Sequence, residues 1–135
     1  NSGYYKAFPK VLDYQKWVDG QVNSVGFVEN LYGRRYYFSD ARWAYKAYNY
    51  LVQGSCADYV KEKEIQINEL LAPYESSMLL PVHDEIIFEI KNGEEFLVPK
   101  IKAIMEDSKS VIKTVPMVST VERSNTNWAE AEEVK

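Results

Sequence analysis

The sequence contains one cysteine and one histidine in 135 residues. A lone cysteine excludes an internal disulfide, and because Cys56 falls inside a helical pattern it reads as a small buried side chain rather than a reactive thiol. No apolar run approaches the roughly 20 residues needed to cross a bilayer, and Asn1-Ser2-Gly3-Tyr4 has neither the basic nor the apolar region of a signal peptide. The expected compartment is therefore cytoplasmic, with no membrane partner. An excess of basic charge is also lacking: the formal net charge is -4, so bulk electrostatics do not mark a nucleic-acid binder. No internal repeat, low-complexity stretch or linker interrupts the chain.

What is present suits a folded protein. Hydrophobic residues make up 46% and charged residues 27%, ordinary values for a soluble globular chain, and the length implies one unit over residues 1–135. Charge is unevenly spread. Between Gly33 and Lys61 the positive residues Arg34, Arg35, Arg42, Lys46 and Lys61 outnumber Asp40 and Asp58, whereas Asp84 to Asp107 is mostly acidic. The middle is the stretch that could face phosphate.

The periodicity predicts an α+β layout, a small antiparallel sheet packed against helices. Val11, Leu12, Tyr14, Trp17, Val18 and Val22 recur at helical spacing, with Pro9 in the first turn and Gly26 ending the pattern. Phe27 to Leu31 and Arg34 to Phe38 read as a hairpin around Tyr32-Gly33. A helix is expected over Ala41 to Val52. The pattern then resets at Gln53-Gly54-Ser55, where Ser55 and Asp58 resemble a capping box opening a second helix that Pro73 stops. Met78 to Val82 and Ile86 to Ile90 have strand length and composition. A helix should follow from about Val98 to Ser108 with Leu97, Ile101, Ile104 and Met105 inward, then a strand over Val115 to Val121 and a short acidic tail with a helical turn.

The polar run His83-Asp84-Glu85 between two apolar strands is the conspicuous chemical feature. Adjacent carboxylates there need water or a cation, because burying them unpaired is costly. A solvent-exposed turn accounts for Asp and Glu equally well. The apolar flanks add a rigid support, and carboxylate oxygens are what Mg²⁺ takes, one or two from protein with the remainder from water and phosphate.

The run Leu79-Leu80-Pro81-Val82-His83-Asp84-Glu85-Ile86-Ile87-Phe88-Glu89 closely resembles the third catalytic motif of family A DNA polymerases. The same order supplies Tyr5 with Phe8-Pro9, then Gly26-Phe27-Val28, Leu31 and Gly33-Arg34-Arg35. Further on come Asn49, Gln53-Gly54-Ser55, Ala57-Asp58 and Asn127-Trp128. The resemblance spans Tyr5 to Trp128 and implies the C-terminal palm segment of such an enzyme. It implies that Asp84 binds a catalytic Mg²⁺, with Glu85 beside it as a weaker ligand and His83 touching the primer terminus. It further implies that Gln53 and Asn49 contact the minor groove of primer-template DNA, where acceptors are common to all base pairs, and that Arg34 and Arg35 contact phosphate. Deoxynucleoside triphosphates and the remaining polymerase polypeptide (first palm motif, fingers and thumb) are the other implied partners.

Departures from the family pattern are visible. Tyr45, followed by Lys46, stands where the family usually has arginine four residues before Asn49. Pro81 replaces a polar residue, implying an edge or bulged strand, and Cys56 replaces a small alanine. The motifs carrying the second metal-binding aspartate and the nucleotide-gripping fingers helix are not in this sequence, so the chain alone is expected not to polymerise. It reads as an excised piece or as one part of a polymerase cleaved or encoded in parts. Two other readings are a non-catalytic DNA- or replication-protein-binding module derived from a palm, and an unrelated metal-dependent hydrolase built on Asp84-Glu85.

Overall fold

A computed structural model describes residues 2–109 and 111–134. Their contacts gather into two compact units, Asn1–Tyr59 and Val60–Lys135.

In the first unit a short helix α1 (Ser2–Ala7) precedes α2 (Pro9–Val25). Proline starts α2 at no cost because the first helical N–H groups have no partner in any case. Gly26 ends it in the left-handed region at φ 77, its N–H returning to the Val22 carbonyl at 3.1 Å. The chain then forms β1 (Phe27–Glu29) and β2 (Arg35–Tyr37), an antiparallel pair in the register Phe27↔Tyr37, Val28↔Tyr36 and Glu29↔Arg35. Buried Val18 and Val22 of α2 meet Val28 and the Ala44, Ala47 and Leu51 stripe of the next helix, with Tyr14, Tyr36, Phe38 and Tyr48 at the margin. The Tyr14 hydroxyl donates to the Tyr48 carbonyl at 3.0 Å, and the Tyr48 hydroxyl donates to Asp19 at 2.6 Å. Burial, reinforced by the Asp19 carboxylate, pushes the Tyr48 hydroxyl up to about 12, so it stays a donor throughout the neutral range.

The third helix corrects the sequence reading. After a 3₁₀ turn at Ala41–Trp43, α3 runs without a break from Ala44 to Leu71. Ser55 does not cap a new helix. Its hydroxyl donates back to the Leu51 carbonyl at 2.6 Å and accepts from the Leu31 N–H at 3.3 Å, so the residue is consumed within a continuing helix. Asp58, expected to complete a capping box, instead takes side chains from the β1–β2 turn.

In the second unit, β3 (Ser77–Val82) and β4 (Glu85–Glu89) pair in antiparallel fashion, with the register slipping between Met78 and Leu80. An isolated two-stranded hairpin is marginal in water. This one is supported because Met78, Ile86, Phe88 and Ile90 pack on a core of Ile67 and Leu71 from α3, Leu97, and Ile101 from α4 (Val98–Glu106). The helix expected up to Ser108 thus ends at Glu106, with Leu97, Ile101, Ile104 and Met105 inward. The bulge fits the expectation raised by Pro81. Pro81 pairs with Ile86, one pair out from the turn-closing Val82↔Glu85, a position that in the alternating antiparallel ladder exchanges no N–H bond.

Glu94 ties the ends of this hairpin together. Its carboxylate accepts from the Ser76 hydroxyl at 2.6 Å and from the Ser76 and Glu75 N–H groups at 2.9 and 3.1 Å, while Ser76 Oγ accepts from the Lys91 N–H at 3.0 Å. The Ser76 hydroxyl, aided by those amides and by Lys91 against partial desolvation, holds the Glu94 carboxyl below the usual range. A carboxyl whose folded pKa is depressed stabilises above its unfolded value and ceases to do so as pH falls through the folded value. The melting temperature is therefore expected to drop more steeply from pH 5 to pH 3 in the wild type than in Glu94→Gln. Parallel slopes would contradict this role.

The strand expected over Val115 to Val121 does not form. Val115 and Val118 are exposed, Met117 and Val121 are only half-buried, and the Ser119 N–H goes to the Glu106 carboxylate rather than to a ladder partner. Pairing resumes only at β5 (Glu122–Arg123) with β6 (Glu132–Glu133), around the expected helical turn, here 3₁₀, at Trp128–Glu130. The architecture is α+β, with three separate antiparallel pairs among the described residues rather than one continuous sheet.

Candidate active-site turn and nucleic-acid face

The β3–β4 connection is a two-residue turn, His83-Asp84, because Val82 pairs directly with Glu85. Glu85, expected within the turn, is the first residue of β4. His83 has φ 56, the only positive φ of a non-glycine among the described residues. Positive φ at the first turn position and not at the second is the sign pattern of a type II′ turn, which normally takes glycine there. Histidine is among the side chains that tolerate this region, yet the conformation costs roughly 1–2 kcal/mol. Strain held beside two carboxylates is a feature that clusters at functional sites.

His83, Asp84 and Glu85 are all exposed, and among the described residues none of their side chains takes a hydrogen bond or ion pair. The carboxylates are thus free for an external cation. No group of three or more His, Cys, Asp or Glu able to hold a metal occurs among the described residues. Two adjacent exposed carboxylates still fit Mg²⁺, which needs only one or two protein carboxylates and completes its shell with water and substrate phosphate. Among the described residues, these two carboxylates have no third His, Cys, Asp or Glu grouped with them.

In the first unit, the continuity of α3 puts Asn49 and Gln53 on one face at the i, i+4 spacing. Both are exposed and neither amide is engaged by another described residue, while Leu51 and Ser55 between and beyond them are buried. Exposed Val52 and Ala57 extend the same outward surface with short side chains, as does Cys56, which the sequence reading placed inside and the structure leaves exposed. Lys46, next to Tyr45, lies over the Trp43 ring at 4.1 Å.

Arg34 and Arg35, adjacent in sequence, are sent to opposite faces by strand alternation. Arg34 lies on the α3 side and is bidentate to Asp58, with Nε to Oδ2 at 2.9 Å and Nη2 to Oδ1 at 2.6 Å. Arg35 lies on the outer side, bonded to Glu29 at 2.9 Å and stacked over Phe27 at 4.8 Å. Asn30 joins the first group, donating from Nδ2 to Asp58 at 2.8 Å and accepting at Oδ1 from the Tyr32 and Arg34 N–H groups. Sequence reading overlooked Asn30 and took Asp58 for part of a capping box; the two lie 28 positions apart. The divergence of the two arginines was implicit in the two-residue period of a strand.

The family model described as DNA polymerase family A matches residues 1–130. A DNA polymerase I of Synechocystis sp. is 31% identical over 156 residues, covering 95% of this chain and 16% of the relative. A thermostable DNA polymerase I of Thermus thermophilus is 33% identical over 116 residues, 76% of this chain and 14% of its own length. Among solved structures, the polymerase domain of Pol1 from M. smegmatis, in complex with DNA primer-template and dNTP, superposes with a TM-score of 0.74 at 29% identity. That match covers 84% of this chain and 22% of the other. The chain therefore spans a small share of the length of the polymerases it resembles. With the family match extending over nearly every residue, the chain belongs to DNA polymerase family A.

Proposed function

We propose that this chain is the C-terminal palm segment of a template-directed DNA polymerase, supplying one Mg²⁺-binding aspartate and part of the primer-template surface. The observation that carries the reading is the strained turn holding Asp84 and Glu85 clear of every described partner, between strands seated on a packed core. Bound Mg²⁺ would supply charge stabilisation for the attacking 3′-oxygen, the transferring phosphoryl group and the departing pyrophosphate. Asp84 fixes where that charge sits, and Glu85 holds the neighbouring position. His83 orients the primer terminus. The backbone conformation at residue 83 aims both the ring and the next carboxylate.

Asn49 and Gln53 donate to the minor-groove acceptors shared by all base pairs, which gives grip without sequence preference. Of the two arginines, Arg35, whose bond to Glu29 joins two exposed groups, is the one able to turn toward phosphate, while Arg34 is held by Asp58 on the opposite side of the strand. The absence of the second aspartate and the fingers motif makes the isolated chain inactive.

Mixing the chain with a polypeptide carrying the rest of a family A polymerase, primer-template, Mg²⁺ and nucleotides is expected to restore extension. Failure of extension by the correctly folded mixture defeats the catalytic reading. In the isolated chain, Gln53→Ala is expected to weaken primer-template binding by roughly tenfold, the loss of a hydrogen bond of about 1–1.5 kcal/mol. Fluorescence anisotropy at fixed salt measures it. Unchanged affinity would remove Gln53 from the interface, whereas DNA binding through Gln53 without any reconstituted extension would favour the non-catalytic binding module.

A further inference from the structure

Two of the contacts between the β1–β2 hairpin and α3 fall on one stripe of the helix. Tyr36 of β2 lies across Gly54, and Arg34 grips Asp58. Residues two apart on a strand are separated by about 6.6 Å, and residues four apart on a helix by about 6 Å, so the spacings match. The order is reversed, with the earlier strand residue on the later helix residue, so β2 runs against α3. A steric contact at one point and a charged contact at the other therefore specify a single register.

The charged point is built to be held. The Asp58 side chain is 9% exposed and receives two guanidinium bonds and the Asn30 amide. Asn30 is itself buried, and its Oδ1 organises the turn by accepting from Tyr32 at 3.0 Å and Arg34 at 2.9 Å. The Leu31 N–H reaches Ser55 Oγ one turn earlier on α3. By contrast, the Arg35–Glu29 pair joins side chains 54% and 46% exposed, which water screens. Bidentate geometry with a sheltered carboxylate is the arrangement that guanidinium serves and a lysine would not.

We propose that Arg34 and Asp58 are positioning residues, a latch that registers the β1–β2 hairpin on α3, and that Arg35 is the cation this hairpin offers to an anionic ligand. The latch is independent of the DNA-binding reading; the assignment of Arg35 rests on it. Asp58 acts as the post, Arg34 and Asn30 close on it, and the Asn30–Arg34 turn is thereby ordered.

Amide hydrogen exchange and primer-template affinity across a salt series, measured on Asp58→Asn, Asp58→Glu, Arg34→Met and Arg35→Met, test the proposal. Asp58→Asn and Arg34→Met are expected to speed exchange at the Tyr32 and Arg34 amides by about tenfold while α2 amides near Val22 are unchanged, and Asp58→Glu to restore most of the protection. The first two should weaken DNA binding by about threefold with no change in salt slope. Arg35→Met should leave the turn amides protected and flatten the slope by about one unit, one phosphate contact fewer. Tighter binding by Asp58→Asn with a steeper slope would instead identify Arg34 as a phosphate ligand restrained by Asp58 and overturn the proposal, as would turn amides indifferent to all four changes. Should the wild-type chain bind no DNA, the DNA reading and the role of Arg35 fall together, and the exchange data alone decide the latch.

Discussion

Asp84→Ala is expected to lower primer extension in the reconstituted polymerase by about three orders of magnitude or more, with primer-template affinity changed by less than about threefold. Charge stabilisation through a bound metal amounts to several kcal/mol in the transition state, and each 1.36 kcal/mol is tenfold in rate. Asp84 sits on an exposed turn and makes no bond to any described residue, so its removal should leave the fold intact. The effect should therefore appear in the rate at saturating DNA rather than in stability or binding. Asp84→Asn, which keeps the shape but not the charge, should be nearly as defective, and Glu85→Gln should lose about tenfold as the weaker ligand. Single-turnover extension at several Mg²⁺ concentrations separates these variants. Full extension by Asp84→Ala would remove the aspartate from the chemistry.

The second large effect concerns a residue with no side chain. Glycine inside a helix costs about 1 kcal/mol relative to alanine, so Gly54→Ala within α3 would ordinarily stabilise. Here a Cβ at residue 54 would lie 2.0 Å from the Tyr36 hydroxyl oxygen and 2.8 Å from the ring carbon that bears it. Tyr36 cannot swing aside freely, because it packs against the first core and its ring sits 5.5 Å from that of Tyr50. Forcing such a ring to move costs typically 1–3 kcal/mol against a propensity gain of about 1 kcal/mol, so the net change is a loss of up to about 2 kcal/mol and the melting temperature falls by up to about 10 °C for a domain of this size. The sign should reverse when the obstacle is removed. In a Tyr36→Ala background, Gly54→Ala is expected to raise stability by up to about 1 kcal/mol, and the coupling between the two sites is read from the double-mutant cycle. A stabilising Gly54→Ala in the wild-type background would show that the ring does not cross the helix at that point.

The same glycine explains the main departure of the fold from the sequence reading. Gln53-Gly54-Ser55 has the composition of a helix boundary, and Ser55 with Asp58 imitates a cap. The distinction between a glycine that ends a helix and one that admits an aromatic ring lies with Tyr36, 18 positions away, and no local pattern carries it. Local signals sufficed where the driving force was local: the helix α2, of whose expected stripe Tyr14, Val18 and Val22 pack while Leu12 and Trp17 stay exposed, the inward Leu97, Ile101, Ile104 and Met105, and the two apolar runs of β3 and β4. The run over Val115 to Val121 alternates as a strand should, yet alternation specifies only which residues would share a face and not whether a surface awaits them.

At the candidate site the division is similar. A polar interruption between apolar strands pointed to Asp84 and Glu85, and the structure keeps both exposed on the hairpin. Helical spacing placed Asn49 with Gln53, and the unbroken α3 puts them on one face. Treating Arg34 and Arg35 as a pair ignored the pleat, which sends adjacent side chains apart, and the partner of Arg34 was hidden because Asp58 belongs to a distant segment.

The left-handed backbone at His83 bears on how this segment would change under selection. Glycine would relax that turn, so a lineage or a laboratory screen rewarding heat resistance alone has a favourable single step available at position 83. Taking it would delete the imidazole beside Asp84 while leaving the hairpin sounder than before. Under the role proposed for the imidazole, durability and usefulness are opposed at this one residue, and a screen for heat resistance alone would not detect what the substitution removed.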